Sequence, residues 1–551
     1  ATPGLASAEG MPLLAALGLG WWASRAARPF DARARRGRLA EWLAGALAMG
    51  PTMGWTWYVW PPTVLYMGAG LGLYTLLAAA LLRAAARRLS LPLALPIAWT
   101  GMEVLRSAVP PPAGLGWLSL GHYAHHHLWL AGSARVWGVE GVGFALAALA
   151  GLLAAALAAP RRLRPKDLLR GLGPAALGAV LVLAVPPPDT VAGPRLLLVQ
   201  PGFSQKRKQT FDPAENFQGQ RNLTHSDLAR RAQQGEAPPD LVCWGESMLF
   251  VPLFESGVPD ALAQGARLPP WADQITPDTL ADWQEWEAER VGKEILGLGL
   301  PPGSRAPRLP AGTSFLSGAD TLDVVDGAIR RKTGVVLYSP DGSRAPVAGK
   351  RYLVPGAETM LGLERFAGVR AAIHAIAGYV PDLAAAPATG VLELATRGGR
   401  HFRLGATVCF DNAFLPPYVE PLAETGGLDF HLVASNEAWY LRSGEVDQMV
   451  AFSRLIALST GRAVVRATNS GISIGIDPDG RERGRVREEG RDRLARGTLL
   501  LDVPVPAGGP TSAVPPYVRL RSPLRVVLGA LALALLVAFR GPIRYPAAPG
   551  G

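Results

Sequence analysis

Long apolar blocks separated by short charged segments fill about the first 190 residues, and this pattern predicts membrane helices. The block 139–159 has 21 residues, and a helix of that length spans about 30 Å, the hydrocarbon thickness of one bilayer. A run of six such blocks, with a seventh near the C-terminus, favours a polytopic helical membrane domain over a series of buried core helices. The seven blocks cover residues 11–23, 39–58, 62–82, 91–109, 139–159, 171–187 and 523–539.

The first and last blocks are short for membrane spans. The block 523–539 has 17 residues and meets the lower limit of a span. The block 11–23 is shorter still, so we expect either a half-length hairpin arm or a first helix that precedes Ala1. A cleaved signal peptide is disfavoured because no small-residue cleavage pattern follows this block.

Arginine clusters between alternate apolar blocks predict the orientation of the helices. Positive residues concentrate on the cytoplasmic side of membrane proteins, so the three clusters are expected inside and the chain after 187 outside. The last helix then returns the chain to the cytoplasm, although three arginines also flank its outer end. The clusters are Arg25, Arg28, Arg33, Arg35, Arg36 and Arg38; Arg83, Arg87 and Arg88; and Arg161, Arg162, Arg164 and Lys166; the last helix has Arg519, Arg521 and Arg525 before or within it and Arg540 and Arg544 after it.

Between 194 and 520 the composition becomes that of an ordinary globular protein, with short β-like runs separated by helical stretches. Alternating strands and helices predict an α/β domain, and the aperiodic, Pro-rich stretch 249–276 predicts a long surface loop. We therefore divide the chain into N-terminal membrane helices (1–190), an α/β domain (191–515) and a C-terminal helix with a short tail (516–551). The predicted strands are 195–200, 240–244, 334–339, 404–409, 430–434, 463–468 and 471–476, and the main predicted helices are 277–296 and 446–461.

Composition narrows the function classes. Hydrophobic residues make up 49 % of the 551 residues and charged residues 18 %, a composition that excludes intrinsic disorder. Two cysteines exclude a disulfide-dense scaffold and a cysteine zinc site. The arginine clusters explain the net charge of +11, so no nucleic-acid partner is expected. The histidines at 122 and 125–127 have no acidic partners nearby and indicate a polar outer loop, so we expect neither a metal nor a cofactor.

Cys409 is a candidate nucleophile because it ends the apolar run 404–409 and a turn follows it. A strand end exposes its last side chain at the edge of the sheet, where α/β proteins hold ligands, and N–H groups after the turn suit an oxyanion. A buried structural cysteine and a disulfide with Cys243 remain alternatives. In a strand Cys243 and Glu246 face opposite sides, which disfavours the disulfide.

Two charged residues are further candidates. Glu246 closes the run 240–246, where a carboxylate is costly to bury unless it is paired or functional. It is either a general base with a raised pKa or a helix cap or loop acid. Lys350 precedes the apolar anchor 352–355. A lysine held in a pocket stabilises an oxyanion and lowers a thiol pKa, whereas an isolated lysine ordinarily lies at the surface.

Taken together, Glu246, Lys350 and Cys409 follow one another on separate strand ends of one α/β domain, and this order resembles the carbon–nitrogen hydrolase (nitrilase) superfamily. The resemblance implies a four-layer αββα sandwich, with Glu246 as general base, Lys350 as oxyanion stabiliser and Cys409 as nucleophile. The membrane helices make the family resemblance more specific, because a nitrilase-like domain between several helices and one final helix resembles the apolipoprotein N-acyltransferase family. The segments that carry this resemblance are 96–106, 117–122, 138–143, 199–202, 350–355, 436–440 and 466–473.

The chain departs from the family pattern at three positions near the triad. Gly245 stands where a proline usually precedes the glutamate, and Asp411 stands where a glutamate usually follows the cysteine. Glu358 keeps its usual distance along the chain from Lys350, but Pro-Gly-Ala-Glu replaces the usual Pro-Phe-Gly-Glu. By the resemblance, Glu358 and Asp411 hold Lys350 in place. A backbone N–H near Phe410 helps to hold the oxyanion. Asn436 and Trp439 belong to the substrate-binding loop. Trp439 either closes over the acyl thioester that the resemblance implies on Cys409 or only packs against neighbouring side chains.

The resemblance implies a two-step acyl transfer without a cofactor. A membrane phospholipid, expected to be phosphatidylethanolamine, acylates the cysteine, and the α-amino group of a diacylglyceryl-cysteine lipoprotein then accepts the chain. The expected location is the bacterial cytoplasmic membrane, with the catalytic domain on its outer face and the protein a monomer. A membrane-tethered nitrilase-type amidase is the main alternative, since it would share the triad. A lipid-binding scaffold with an inactive nitrilase domain is another, and the intact triad argues against it.

Overall fold

The computed structural model separates the chain into two compact units. One contains Pro187–Val518, and the other is built from the described residues before Pro187 and after Val518. Several residues of the predicted pattern, namely Arg28, Arg33, Arg540 and Arg544, lie outside the described part of the chain. The structure describes residues 11–27, 34–59, 61–109, 114–117, 119–210, 212–249, 252–268, 276–301, 304, 306–377, 380–424 and 426–539.

The unit built from the residues before Pro187 and after Val518 is helical. Each predicted apolar block before residue 187 falls on one of its helices. Small residues let these helices approach closely: a Cβ at Gly72 would lie 2.7 Å from the backbone nitrogen of Ala46. The helices are α1 (Met11–Ala26), α2 (Ala34–Thr52), α3 (Pro62–Ala86), α4 (Leu91–Ala108), α5 (Leu128–Ala131), α6 (Ala134–Ala158) and α7 (Pro165–Ala184).

Four helices of the described chain are long and apolar enough to cross a membrane, and the protein is therefore a membrane protein. They cover Pro62–Ala86, Ala134–Ala158, Pro165–Ala184 and Pro516–Ala538. The blocks expected at 11–23, 39–58 and 91–109 also form helices, but these are not among the four. With 16 residues, α1 reaches about 24 Å, less than the bilayer core. Both α2 and α4 carry charged residues and proline within the helix.

The unit Pro187–Val518 holds thirteen described strands in two sheets. All seven predicted strands coincide with strands of the structure, although the run 471–476 is extended only from Ile474. The strands are β1 (Thr190–Gln200), β2 (Leu241–Cys243), β3 (Leu253–Phe254), β4 (Ser314–Val325), β5 (Ala328–Tyr338), β6 (Ala348–Gly349), β7 (Gly390–Ala395), β8 (His401–Val408), β9 (Phe430–Ser435), β10 (Ala463–Thr468), β11 (Ile474–Ile476), β12 (Glu482–Arg485) and β13 (Gly497–Pro506).

The two sheets have simple orders. The first runs β13-β1-β2-β4-β5-β6, with β3 paired to β4, and the second runs β12-β11-β10-β9-β8-β7. In the first sheet β1, β2 and β4 are parallel neighbours, and in the second β8, β9 and β10 are. Parallel neighbours bring their carboxyl ends to one edge of each sheet, and that edge is where Glu246 and Cys409 follow β2 and β8.

Alternating side chains of the strands build two apolar layers. On β1, Leu196 and Leu198 face the second sheet and join the core between the sheets. Leu197 and Val199 face the opposite way and pack with helical residues, as the period of two in a strand requires. The helices of this unit are α8 (Gln205–Thr210), α9 (Pro213–Gln233), α10 (Gly257–Ala263), α11 (Pro277–Glu287), α12 (Ala367–Ala377), α13 (Pro416–Glu424) and α14 (Glu445–Thr460).

Helices cover both outer faces of the paired sheets. Phe217 and Leu228 of α9 join the outer core of the first sheet. Residues 416–424 and 445–460, which form α13 and α14, contact the second sheet, and every residue of α14 is buried. The resulting helix–sheet–sheet–helix arrangement is the four-layer αββα sandwich expected from the sequence. A last helix, α15 (Pro516–Phe539), follows β13 after a short connection.

The expectation of a long surface loop at 249–276 is wrong for its described residues. Strand β3 pairs with β4, and Leu253 is fully buried. Helix α10 follows and buries Val258 in a separate apolar cluster with Leu322. Two buried residues in β3 and two in α10 pack this segment onto the first sheet. Prolines and glycines obscure the hydrophobic periodicity of both elements in the sequence. Residues 250, 251 and 269–275 lie outside the described chain.

Candidate active site

Cys409 lies where β8 ends and a tight 3-10 turn, Cys409–Ala413, begins. Its backbone has φ +45°, a left-handed conformation that costs a non-glycine residue about 1–2 kcal/mol. The residue is buried at the start of this turn, with 7 % of its surface exposed. Both Cys409 and Cys243 are free thiols, so the disulfide alternative is wrong.

Glu246 reaches the same place from the first sheet. It follows β2, and its Oε2 accepts a 3.0 Å hydrogen bond from the backbone N–H of Asn436. The Cys409 thiol lies close enough to the Glu246 carboxylate to influence its pKa. Gly318 of β4 packs directly against it, because a Cβ there would lie 2.5 Å from the Cα of Glu246. The base candidate is therefore held by backbone on two sides.

Lys350 completes the predicted triad. It follows β6, is 1 % exposed, and its Nζ lies 2.6 Å from Glu358 Oε1 and 3.4 Å from Glu246 Oε1. The three residues expected from the sequence thus meet in one buried site between the carboxyl ends of both sheets. The ammonium lies between two carboxylates, which is the arrangement that keeps a buried cation charged.

The electrostatics of the site favour a resting thiol. Burial, and next the charge of Glu246, raise the pKa of Cys409 well above its ordinary value. Burial also raises the pKa of Glu246, while Lys350 opposes that rise. Burial lowers the pKa of Lys350, but the two carboxylates outweigh it and leave this pKa well above its ordinary value. Cys409 is therefore a neutral thiol at rest, beside the positive charge of Lys350.

Glu358 and Asp411 hold the lysine loop. Glu358 bonds Lys350 directly, and its other oxygen accepts a 2.8 Å hydrogen bond from the N–H of Val354. Asp411 instead accepts from the backbone N–H groups of Tyr352, at 2.7 Å, and Arg351, at 3.1 Å. Burial raises the pKa of Asp411 to about 6, and these N–H groups oppose the rise. The shorter aspartate side chain still connects the cysteine turn to the lysine loop.

The remaining predicted residues line the site in different ways. Asn436 contacts Glu246 through its backbone, and its side-chain oxygen accepts a 2.9 Å bond from Asn469. Phe410 is nearly buried and meets Phe414 edge to face, with ring centroids 5.0 Å apart. Trp439 is 41 % exposed, so in this structure it lies at the surface of the α/β unit.

The structure adds charged residues that sequence reasoning missed. Lys208 of α8 donates to the carbonyl oxygens of Glu246 and Ser247, each at 3.4 Å. Glu437 and Arg466 form a fully buried ion pair below the site. Glu445, at the start of α14, is fully buried, and within the described part of the chain neither of its carboxylate oxygens has a hydrogen-bond partner. The available signal was that Glu437 and Arg466 lie inside two of the segments already singled out, whereas Lys208 lies in an ordinary basic helix.

Comparison with known proteins finds similarity over most of the chain. Residues 7–152 match the family model of the apolipoprotein N-acyltransferase N-terminal domain. An apolipoprotein N-acyltransferase of Bradyrhizobium diazoefficiens is 29 % identical over 519 residues, which cover 88 % of this chain and 80 % of that protein. One of Bordetella bronchiseptica is 27 % identical over 467 residues, which cover 81 % and 73 %.

Solved structures of the nitrilase superfamily also match, at lower identity. An amidase from Nesterenkonia AN1 is 18 % identical with a TM-score of 0.33, and the match covers 57 % of this chain and 92 % of that one. Nit3 of Saccharomyces cerevisiae is 11 % identical with a TM-score of 0.33, covering 58 % and 92 %.

Proposed function

The chain is an enzyme of the apolipoprotein N-acyltransferase family, and from this premise we propose that it transfers a fatty acyl chain from a membrane phospholipid to a lipoprotein. The acceptor is the α-amino group of an N-terminal diacylglyceryl-cysteine, and the intermediate is a thioester on Cys409. The observation that carries the proposal is the convergence on one buried carboxylate, Glu246: the Lys350 ammonium lies 3.4 Å from it, and Cys409 lies near enough to influence its pKa.

In the first half-reaction Glu246 takes the proton of the Cys409 thiol while the sulfur attacks the ester carbonyl of the phospholipid. The new C–S bond gives a tetrahedral oxyanion, which Lys350 and a backbone N–H near Phe410 stabilise. The C–O bond to the glycerol oxygen then breaks, and Glu246 returns the proton to that oxygen. A lysophospholipid leaves, and the thioacyl-enzyme remains, as in other ping-pong acyl transfers.

In the second half-reaction the neutral α-amino group of the lipoprotein attacks the thioester carbonyl. Glu246 accepts one amine proton as the C–N bond forms, and Lys350 again faces the oxyanion. The C–S bond breaks, and the proton passes to the sulfur, so that Cys409 returns as a thiol. The product is an amide, and no cofactor or metal is consumed.

Both proposed substrates are anchored in lipid, which accounts for a catalytic domain tethered by membrane helices. The arginine clusters support an orientation in which the α/β unit lies on the outer face of a bacterial cytoplasmic membrane. A lipoprotein as acceptor follows from the family, and phosphatidylethanolamine as donor is the finer part of the proposal. We expect the enzyme to act as a monomer.

The test is intact-protein mass spectrometry of the detergent-purified enzyme after incubation with phosphatidylethanolamine. We expect a hydroxylamine-labile acyl adduct that is absent in Cys409→Ala, and a diacylglyceryl-cysteine peptide should discharge it to an amide. Discharge only to free fatty acid would favour the amidase alternative. If no phospholipid acylates the wild-type protein, the acyl-enzyme mechanism is wrong, and retention of full biological function by Cys409→Ala would point to a non-catalytic role.

A further inference from the structure

A second lysine contacts the turn that carries the proposed catalytic base. Lys208 lies on the short helix α8, and its Nζ donates to the carbonyl oxygens of Glu246 and Ser247, each at 3.4 Å. Ser247 has φ +51°, a strained conformation for a residue with a side chain. One ammonium therefore bonds both carbonyls of the turn that presents Glu246 to Cys409.

The other cations of α8 do not share this position. Lys206 is exposed. Arg207 donates to the side-chain oxygen of Asn216 at 3.1 Å and stacks on the ring of Phe203 at 4.3 Å. The contact with the base thus belongs to one residue of the basic helix, and Lys206 supplies a matched control two positions away.

The charges that face Lys208 and Glu246 come from several elements. Burial lowers the pKa of Lys208 to about 8, against the opposing charges of Glu246, Asp320 and Cys409. Asp320 is already paired, at 2.6 Å with Arg331 and 2.8 Å with Thr333. The groups that act on Glu246 are Lys350, Lys208, Glu358 and Cys409.

We propose that Lys208 is a positioning residue for the general base: it holds the strained turn after β2 and keeps Glu246 ionised until the thiol proton arrives. The inference rests on the proposed function. Lys350 and Lys208 then balance Glu246 and Glu358 as two cations against two carboxylates. Lys350 faces the developing oxyanion, while Lys208 supports the base through the carbonyls of its turn.

The role predicts a specific change in pH dependence. Acylation of Cys409 requires ionised Glu246, so its rate rises with pH through the pKa of Glu246. Loss of the Lys208 charge raises that pKa. The rising part of the pH–rate profile, its acid limb, then moves to higher pH by about one unit, the usual effect of losing an opposite charge at this range. Loss of a purely structural contact would lower the rate equally at every pH and leave the limb in place.

The experiment measures single-turnover thioester formation on the full-length enzyme in detergent with phosphatidylethanolamine, from pH 5 to 9, by intact mass. Lys208→Met removes the charge and the bonds, Lys208→Gln removes the charge but can still donate, and Lys208→Arg keeps the charge. We expect the first two to move the acid limb upward and to slow acylation at neutral pH about tenfold. Lys208→Arg should restore the wild-type limb, and Lys206→Met should match the wild type throughout.

An acid limb that stays in place in a folded neutral variant overturns the inference. Loss of the thermal unfolding transition in both neutral variants overturns it too, because it shows that Lys208 serves the fold and not the base. The failure of the proposed function is distinguishable from either result, since it would abolish the thioester in the wild type and in Lys206→Met as well.

Discussion

At the scale of single residues, Glu445 is a buried acid whose protonation should control stability. Its side chain is fully buried, and its carboxylate has no hydrogen-bond partner among the residues that the structure describes. Burial, and next the charge of Glu437, raise its pKa well above the ordinary value, while Arg466 opposes the rise. A raised folded-state pKa means that the free energy of unfolding is highest below the unfolded-state pKa, about 4.3, and falls as pH rises towards the folded-state pKa.

We predict that Glu445→Gln removes this fall in the free energy of unfolding at higher pH. The variant should match the wild type near pH 4.5 and exceed it at pH 8, by about 1.4 kcal/mol for each unit by which folding raises the pKa. Thermal unfolding in detergent at the two pH values measures the effect. Glu393→Gln is the control, because the Glu393 side chain is 73 % exposed. Equal pH slopes for wild type and Glu445→Gln would show that folding does not raise the pKa of Glu445.

The residues that sequence reasoning selected share one property: they are chemically reactive and stand at strand ends or in specific segments. Glu246 and Cys409 follow β2 and β8, where an apolar run that stops at such a residue is visible in the sequence, whereas Lys350 follows the short strand β6 and was found by the apolar segment 352–355 after it. Lys208 was missed because α8 reads QKRKQT, and nothing local distinguishes its second lysine from its first. Only the packing of the helix on the turn of Glu246 separates them.

At the scale of elements, the segment 249–276 should contribute to stability, contrary to its appearance in the sequence. We predict that Leu253→Ala lowers the free energy of unfolding by about 2–5 kcal/mol, the usual cost of truncating a buried leucine. The exposed Gln264→Ala in the same segment should have no measurable effect. Denaturant unfolding checks both, and an unchanged midpoint for Leu253→Ala would restore the interpretation as a dispensable loop.

The strands that the sequence did not reveal have mixed patterns. In β4, which reads SFLSGADTLDVV, glycine and aspartate interrupt the apolar positions because Gly318 packs on Glu246 and Asp320 bonds Arg331. In β13 prolines stand at 504 and 506, and among the described strands β13 is an edge strand that pairs with β1. The continuous apolar runs were found because they are buried on both faces. The polar strands depend on partners distant in sequence.

At the scale of the whole molecule, the predicted orientation can be tested with introduced cysteines. We predict that a membrane-impermeant maleimide labels Ser256→Cys in intact spheroplasts, and labels Arg161→Cys only after the membrane is opened. Both positions are exposed within their units. A Cys409→Ala background avoids reaction at the site, and Cys243 is fully buried. The opposite labelling pattern would place the α/β unit in the cytoplasm.

The pairing of β1 with β13 has a consequence for biosynthesis. These neighbours join Thr190 to Pro506, so the first sheet lacks an edge partner until the ribosome has added roughly 300 further residues, which takes roughly 15–60 s at ordinary rates of translation. Glu246 and Cys409 are made long before that strand exists. The nascent chain therefore already contains Glu246, Lys350 and Cys409 while the sandwich that brings them together is still incomplete.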